Sequence, residues 1–174
     1  MPSEVIKRFK IHQIALSFAS CEREDEEYLG LGECEEFSYR LGRGKTHHLS
    51  VIETEDADGE KIVIFRITIG LACRVFRPSV LAEAGQDADP ADIDAACEVQ
   101  TMYDADYIVP ESSGNTDEFD SDDLKNFAEH NVPYHVWPFF REHLCSTLAK
   151  MHIQPITIPM LQVPIAHQKT KKKK

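Results

Sequence analysis

Residues 131–163, NVPYHVWPFFREHLCSTLAKMHIQPITIPMLQV, decide the fold of this chain. Proline inside a helix removes a backbone hydrogen bond at a cost of roughly 3 kcal/mol, but it is accepted in the first turn. We therefore predict a helix over 138–151 that begins near Pro138. Large apolar side chains recur along it at the three- and four-residue spacing of one helix face. They are Trp137, Phe140, Leu144, Leu148 and Met151.

The residues after this helix are apolar but cannot be helical. Pro155, Pro159 and Pro164 interrupt the segment, and the residue before a proline favours an extended conformation. An extended arm is therefore predicted after the helix. Its apolar side chains are Ile153, Ile156, Ile158 and Leu161.

The length and composition of the chain predict a single domain. The 174 residues are 42% hydrophobic and contain no apolar run of the roughly 18 residues that a membrane span needs. We predict one domain over residues 1–168 and a basic, disordered tail over 169–174, with no membrane insertion. Five widely spaced cysteines, and an N-terminus without the apolar core of a signal peptide, favour a reducing compartment. A cytoplasmic location is expected.

The charge is divided unevenly along the chain. The net charge is −11 and the last six residues include five lysines, so residues 1–168 carry −11 minus 5, or −16. An acidic body repels polyanions, so no nucleic-acid partner is predicted. The lysine tail is expected to be solvated, with contact to nucleic acid or to an acidic partner as the alternative.

Four segments before the helix alternate apolar and polar residues, which is typical of β-strands. The first predicted strand begins at Phe9. The other three cover residues 46–54, 60–75 and 92–103. A change of phase near Gln13 predicts a β-bulge in the first strand, and the pair Asp58-Gly59 predicts a hairpin after the second. A short helix is predicted over 121–129. Four consecutive strands before the helices indicate an antiparallel sheet in an α+β fold.

The residue types that catalyse reactions or bind metal ions lack the spacings those functions need. Eight histidines and five cysteines include no CxxC or HExxH pair. Glycine-rich nucleotide-binding loops and the GxSxG hydrolase motif are also absent. His143 and Cys145 are two positions apart on a helix, so their side chains point about 200° apart. This geometry does not favour a catalytic dyad. No enzyme activity, cofactor or metal ion is predicted.

Several apolar segments need a surface to cover them, and exposed apolar patches mark association sites. The helix stripe is predicted to form the interface of a homo-oligomer, a dimer or a tetramer, with the alternative that it completes the core of one chain. The interface residues are Trp137, Phe140, Leu144 and Leu148. The acidic segment 21–36 surrounds Tyr28, Leu29 and Leu31, and a polar rim around apolar side chains suits a surface that receives unfolded chains. The alternative is that these side chains attach the loop to the core.

The quoted stretch resembles the C-terminal half of SecB-type export chaperones. That family carries an Asn-x-Leu-Phe-Pro-Tyr-Ala-Arg-Glu segment followed by a proline-bounded arm, and residues 131–142 and 154–159 are similar to these two parts. Residues 9–14 are similar to the family's first strand, and residues 96–100 to its fourth. The resemblance covers most of residues 9–161.

This resemblance implies a four-stranded antiparallel sheet with one long C-terminal helix on a face, assembled into dimers or tetramers. It also implies an ATP-independent chaperone that holds unfolded or aggregation-prone polypeptides. Its clients would be preproteins for export through the SecA motor, or the antitoxin of a toxin–antitoxin system. The residues expected to contact a client are Tyr28, Leu29, Leu31, Leu49, Val51, Ile156, Ile158 and Leu161.

The resemblance is incomplete at the surface that would bind the motor. Glu22 and Glu98 match acidic positions of that surface, whereas Phe18 stands where an aspartate is expected. Residues 166–174 also replace the second helix of export SecB. The alternative function is a scaffold protein that recognises one folded partner through the same apolar patches.

Overall fold

The computed structural model describes residues 9–23, 37–55, 57–59, 61–84, 92–109, 121–153 and 156–161. These ranges contain four strands and three helices. They are β1 (Lys10–Arg23), β2 (Ser38–Glu55), β3 (Lys61–Phe76), α1 (Pro78–Ala84), β4 (Cys97–Ile108), α2 (Ser121–His130) and α3 (Val132–Lys150). The strands form one antiparallel sheet in the order β1-β4-β3-β2. This confirms the predicted α+β fold.

The two local features predicted in the strands are present. Gly59 lies in the turn between β2 and β3 with φ at 80°, a conformation that suits glycine because it has no Cβ. The register between β1 and β4 shifts between Ile11 and Gln13, as the change of phase predicts. A second shift lies between Leu16 and Phe18.

Helices α2 and α3 lie on one face of the sheet, which we call the helix face. Residues paired across antiparallel strands point to the same side of a sheet, so alternate positions of β3 and β4 share this face. Helix α3 packs against both strands, and its apolar stripe belongs to the same core as theirs. Core residues include Phe65, Ile67, Ile69, Val99, Tyr103, Tyr107, Phe140, Leu144 and Leu148.

The four helix residues predicted for an oligomer interface lie in this core. Leu144 has no exposed surface, and the other three are buried as well. Their position agrees with the alternative that the stripe completes the core of one chain. A second chain could contact α3 only through its exposed residues, of which Phe139 is the large apolar one.

The opposite side of the sheet, which we call the open face, carries paired polar groups. Arg66 donates from Nε to Oδ1 of Asp106 and from Nη2 to Oδ2, both at 2.8 Å. This hydrogen-bonded pairing raises the pKa of Arg66. Thr68 Oγ1 donates to Oδ1 of Asp104 at 2.6 Å. The half-buried Ile62 and Ile64 are therefore followed along β3 by paired polar groups.

The long helix starts earlier than predicted. It begins at Val132, with Pro133 in the first turn, and Pro138 lies inside the helix. The ring of Pro138 is on the exposed side, so it displaces no core side chain. The core contacts of Val132, Val136 and Trp137 on the buried side offset the hydrogen bond that proline removes.

Two strand boundaries also differ from the prediction. Strand β2 begins at Ser38 rather than 46, because Tyr39 and Leu41 continue the alternation and pack against the core. Strand β4 covers Cys97–Ile108 rather than 92–103. Ile93 and Ala95 are buried in a separate cluster with Phe76, packed on α1 side chains, so their apolar spacing does not reflect strand pairing.

The beginning of α3 is tied to the sheet by a buried polar pair. Tyr107 Oη and His135 Nδ1 lie 2.9 Å apart. Burial raises the pKa of Tyr107 and lowers the pKa of His135, so both groups stay neutral near pH 7. Phe127 of α2 packs edge-on against Tyr107, which fixes α2 beside the same end of α3.

Candidate functional site

The arm after α3 folds back beside the helix. His152 has φ at 58°, and the N–H of Ile153 donates to the carbonyl of Leu148 at 3.0 Å, so the chain turns sharply at the helix end. Trp137 Nε1 donates to the carbonyl of Pro159 at 2.9 Å. The arm therefore runs from the end of α3 back toward its first half.

A second bond ties the arm to the edge strand β2. Tyr39 Oη donates to the carbonyl of Thr157 at 2.8 Å. Tyr39 pairs with Val75, a core residue, and therefore lies on the helix face. The arm is thus held by side chains of both α3 and β2, and both bonds end on backbone carbonyls of the arm.

The same edge strand carries two exposed apolar side chains farther along. Leu49 pairs with Ile67, and Val51 pairs with Phe65, so both lie on the helix face. Their partners are fully buried, yet Leu49 is 39% exposed and Val51 is 47% exposed. Within the described residues, no helix or arm segment buries this end of β2. Leu49 and Val51 therefore form an accessible apolar patch, which we call the β2 patch.

The arm residues predicted to contact a client are not equally accessible. Ile158 is 2% exposed and belongs to the core of the chain, which does not suit the client contact predicted for it. Ile156 and Leu161 are half-buried and pack against that core. Met160, which sequence reasoning missed, is exposed, and its Sδ lies 2.7 Å from Nη1 of Arg141. Fewer of the predicted arm residues are therefore accessible to a client than the sequence analysis expects.

Three further residues predicted to contact a client, Tyr28, Leu29 and Leu31, lie outside the described residues. Their role stays a prediction.

The two acidic residues matched to a motor-binding surface are neighbours on the open face. Glu22 of β1 and Glu98 of β4 pair in register. Arg74 Nε lies 3.2 Å from Oε2 of Glu98, and Gln100 Nε2 donates to Oε1 of Glu98 at 2.6 Å. One of the two charges is therefore compensated, and a docking role for the pair stays a prediction. Phe18 is exposed on the same face.

The edge strand β1 carries exposed apolar residues that sequence reasoning did not assign to a site. They are Ile11, Leu16 and Phe18. Pairing with β4 places Ile11 and Leu16 on the helix face and Phe18 on the open face. The phase shifts near Gln13 and Leu16 were the available signal, because a shifted strand cannot bury all of its apolar residues on one face.

Within the described ranges, no three His, Cys, Asp or Glu side chains lie close enough together to hold a metal ion. Among the helices described, none combines the length and apolar character that crossing a membrane requires.

Comparison of the whole fold with solved structures identifies its type. No protein-family model and no curated protein matches the chain in sequence. A SecB-like chaperone of Mycobacterium tuberculosis, solved in complex with a ChAD peptide from the HigA1 antitoxin, matches with a TM-score of 0.58. The match covers 92% of this chain and 93% of that one, at 14% identity. The fold is SecB-like. The SecB-like fold agrees with the antiparallel sheet and the long C-terminal helix that the resemblance in the sequence implies.

Proposed function

We propose that this protein is an ATP-independent chaperone that holds unfolded or aggregation-prone polypeptides. The observation that carries the proposal is the β2 patch, where Leu49 and Val51 are exposed beside fully buried partners. An apolar surface kept open to solvent marks a site of association. The SecB-like fold supports this function, and no nucleotide is required for it.

Strand β2 also offers backbone groups to a client. In the described sheet β2 is an edge strand, so the side of its backbone turned away from β3 has no neighbouring strand. Exposed edges accept extended peptides as an additional strand, with alternate side chains filling apolar positions. An extended client along β2 would place apolar residues against Leu49 and Val51. The acidic body favours basic or neutral segments.

The class of client is an extension of this proposal. The M. tuberculosis chaperone with a similar fold was solved with an antitoxin peptide, which supports an antitoxin as one client. Preproteins for export are the other, because Glu22 and Glu98 are adjacent as docking to the SecA motor would require. The pairing of Glu98 with Arg74 and the exposed Phe18 weigh against motor docking, so we favour the antitoxin.

Replacing both residues of the β2 patch with serine should reduce client binding without unfolding the protein. Removing two half-exposed apolar contacts should weaken affinity for a reduced, unfolded client by about 10-fold or more. Wild-type protein should suppress aggregation of this client at near-stoichiometric ratio, with or without ATP. Light scattering of the client and titration with a labelled client measure the two effects.

Phe139→Ser is the matched control, since Phe139 is a similarly exposed apolar residue, at 48%, that belongs to α3 rather than to β2. It should leave client affinity unchanged. Failure of the wild-type protein to suppress aggregation of any unfolded client would contradict the chaperone function and favour a scaffold for one folded partner. Equal loss in both variants would contradict the location of the site.

We further propose that the chain assembles as a dimer or tetramer through β1. This edge strand holds three of the exposed large apolar residues, Ile11, Leu16 and Phe18, and natural sheets cover or pair such edges. Light scattering should give a mass of two or four chains at micromolar concentration. Leu16→Glu combined with Phe18→Glu should lower that mass. A monomeric wild-type protein, or an unchanged mass in the variant, would contradict this assembly.

A further inference from the structure

Three sulfur atoms from distant parts of the chain meet beside the end of α3. Cys21 Sγ of β1 lies 3.8 Å from Cys97 Sγ of β4. Met151 Sδ, at the C-terminal cap of α3, lies 2.9 Å from Cys21 Sγ and 3.7 Å from Cys97 Sγ. The three atoms form a closed triangle, which we call the sulfur triad.

The sheet register explains how the triad is positioned. Cys21 pairs with Val99 and Arg23 pairs with Cys97, so the two cysteines are diagonal neighbours on the helix face. Met151 reaches them because α3 crosses this face and ends there. The cysteines are thus held by strand pairing, whereas the methionine has three rotatable side-chain bonds with which to adjust.

The dimensions of the triad fit a metal ion with three sulfur ligands. Metal–sulfur bonds of about 2.3 Å in a trigonal plane place the sulfurs about 4 Å apart. Two sides of the triad, at 3.8 and 3.7 Å, already have this length. The third side, between Cys21 and Met151, is 2.9 Å and has to open by about 1 Å, which a rotation of the methionine side chain provides.

Access and charge also suit a cation. Cys97 is buried, but Cys21 is exposed, so an ion can enter from the side of Cys21. The guanidinium of Arg23 is close by, with Nη1 donating to the carbonyl of Met151 at 3.5 Å, and its positive charge favours the thiolate of Cys97. Two thiolates and one monovalent cation carry a net charge of −1, which this arginine offsets.

We propose that Cys21, Cys97 and Met151 form a binding site for a soft monovalent metal ion, with Cu⁺ as the fitting ion. Thiolate and thioether ligands select Cu⁺ over harder ions, and zinc favours a fourth ligand. Two S–H bonds are replaced by two sulfur–copper bonds, so two protons are released while copper and sulfur keep their oxidation states. The bound ion would link β1, β4 and the end of α3.

A disulfide between Cys21 and Cys97 is the alternative to metal binding. It would require an oxidant, and it would leave Met151 without a role.

The test is an anaerobic titration of the reduced, full-length protein with Cu⁺ against a colorimetric Cu⁺ chelator, followed by X-ray absorption of the complex. Wild-type protein should bind one Cu⁺ with three sulfur neighbours. Residues that only hydrogen-bond to a metal ligand already change metal affinity by about 10- to 100-fold when they are replaced. Cys21→Ser removes a ligand itself, so its affinity for Cu⁺ should fall by at least about 100-fold. Met151→Leu, which keeps a similar volume, should lose about 10-fold and leave two sulfur neighbours.

The matched control is Cys145→Ser, which removes an exposed cysteine of α3. This variant should bind Cu⁺ as the wild type does. Circular dichroism verifies that each variant is folded. The proposal is overturned if Cys21→Ser binds as tightly as the wild type, or if Cys145→Ser loses as much affinity. It is also overturned if the product is a Cys21–Cys97 disulfide without bound copper.

Discussion

Leu144→Asp should unfold the protein and abolish its assembly. Leu144 is fully buried in the middle of α3, against the strands of the sheet. Truncating a buried leucine costs about 2–5 kcal/mol, and an unpaired buried carboxylate adds several more. The free energy of unfolding of a typical domain is about 5–15 kcal/mol, so this single change should remove most of it. Circular dichroism with thermal and urea unfolding measures the effect.

Two further variants make this result specific to burial. Leu144→Ala should lower the free energy of unfolding by about 2–5 kcal/mol and leave a folded protein. Phe139→Asp places the same carboxylate on the exposed side of the helix, and its stability should stay within about 0.5 kcal/mol of the wild type. An unchanged melting midpoint for Leu144→Asp would contradict the position of α3 on the sheet.

Arg66→Met should also destabilise the protein, through loss of a partly buried ion pair. It removes both hydrogen bonds to Asp106, a carboxylate that is only 4% exposed. Removing one partner of a fully buried ion pair costs about 3–5 kcal/mol. Because the Arg66 side chain is 40% exposed, water can reach part of this pair, and we expect about 2 kcal/mol. Urea unfolding gives the free-energy difference.

The double variant Arg66→Met with Asp106→Leu separates the pair from its surroundings. Replacing both partners with apolar side chains removes the unpaired charge, so most of the lost stability should return. The neighbouring polar pair, in which Thr68 donates a hydrogen bond to Asp104, is the pair with which this ion pair is compared. If the double variant is less stable than Arg66→Met, the ion pair does not explain the loss.

Much of the sheet could be predicted from local sequence signals. The Asp58-Gly59 turn and the phase shift near Gln13 each depend on a few adjacent residues, and both are present. The start of α3 could not be predicted in this way, because the rule against proline inside helices is local. Contacts of Val132 and Val136 with the core, which the sequence does not display, outweigh that rule at Pro138.

The residues of the candidate sites also differ in whether the sequence contains a signal for them. Leu49 and Val51 were found through the resemblance to a family, since strand periodicity alone assigns them to a buried face. The burial of Ile158 could not be predicted, because an arm residue and a core residue have the same apolar character in sequence. The sulfur triad has no sequence signature at all, because Cys21, Cys97 and Met151 are separated by 76 and 54 positions.

The strand order has a consequence for synthesis of the chain on the ribosome. The last residue of β1 pairs with the first residue of β4, and these residues, Arg23 and Cys97, are 97 minus 23, or 74, positions apart. Translation proceeds at about 5–20 residues per second, so β1 waits about 4–15 s for its partner to be made. Strand β2 meets β3 within a single turn. We therefore expect the sheet to form from the β2–β3 hairpin outward, with the first strand paired only after β4 has been made.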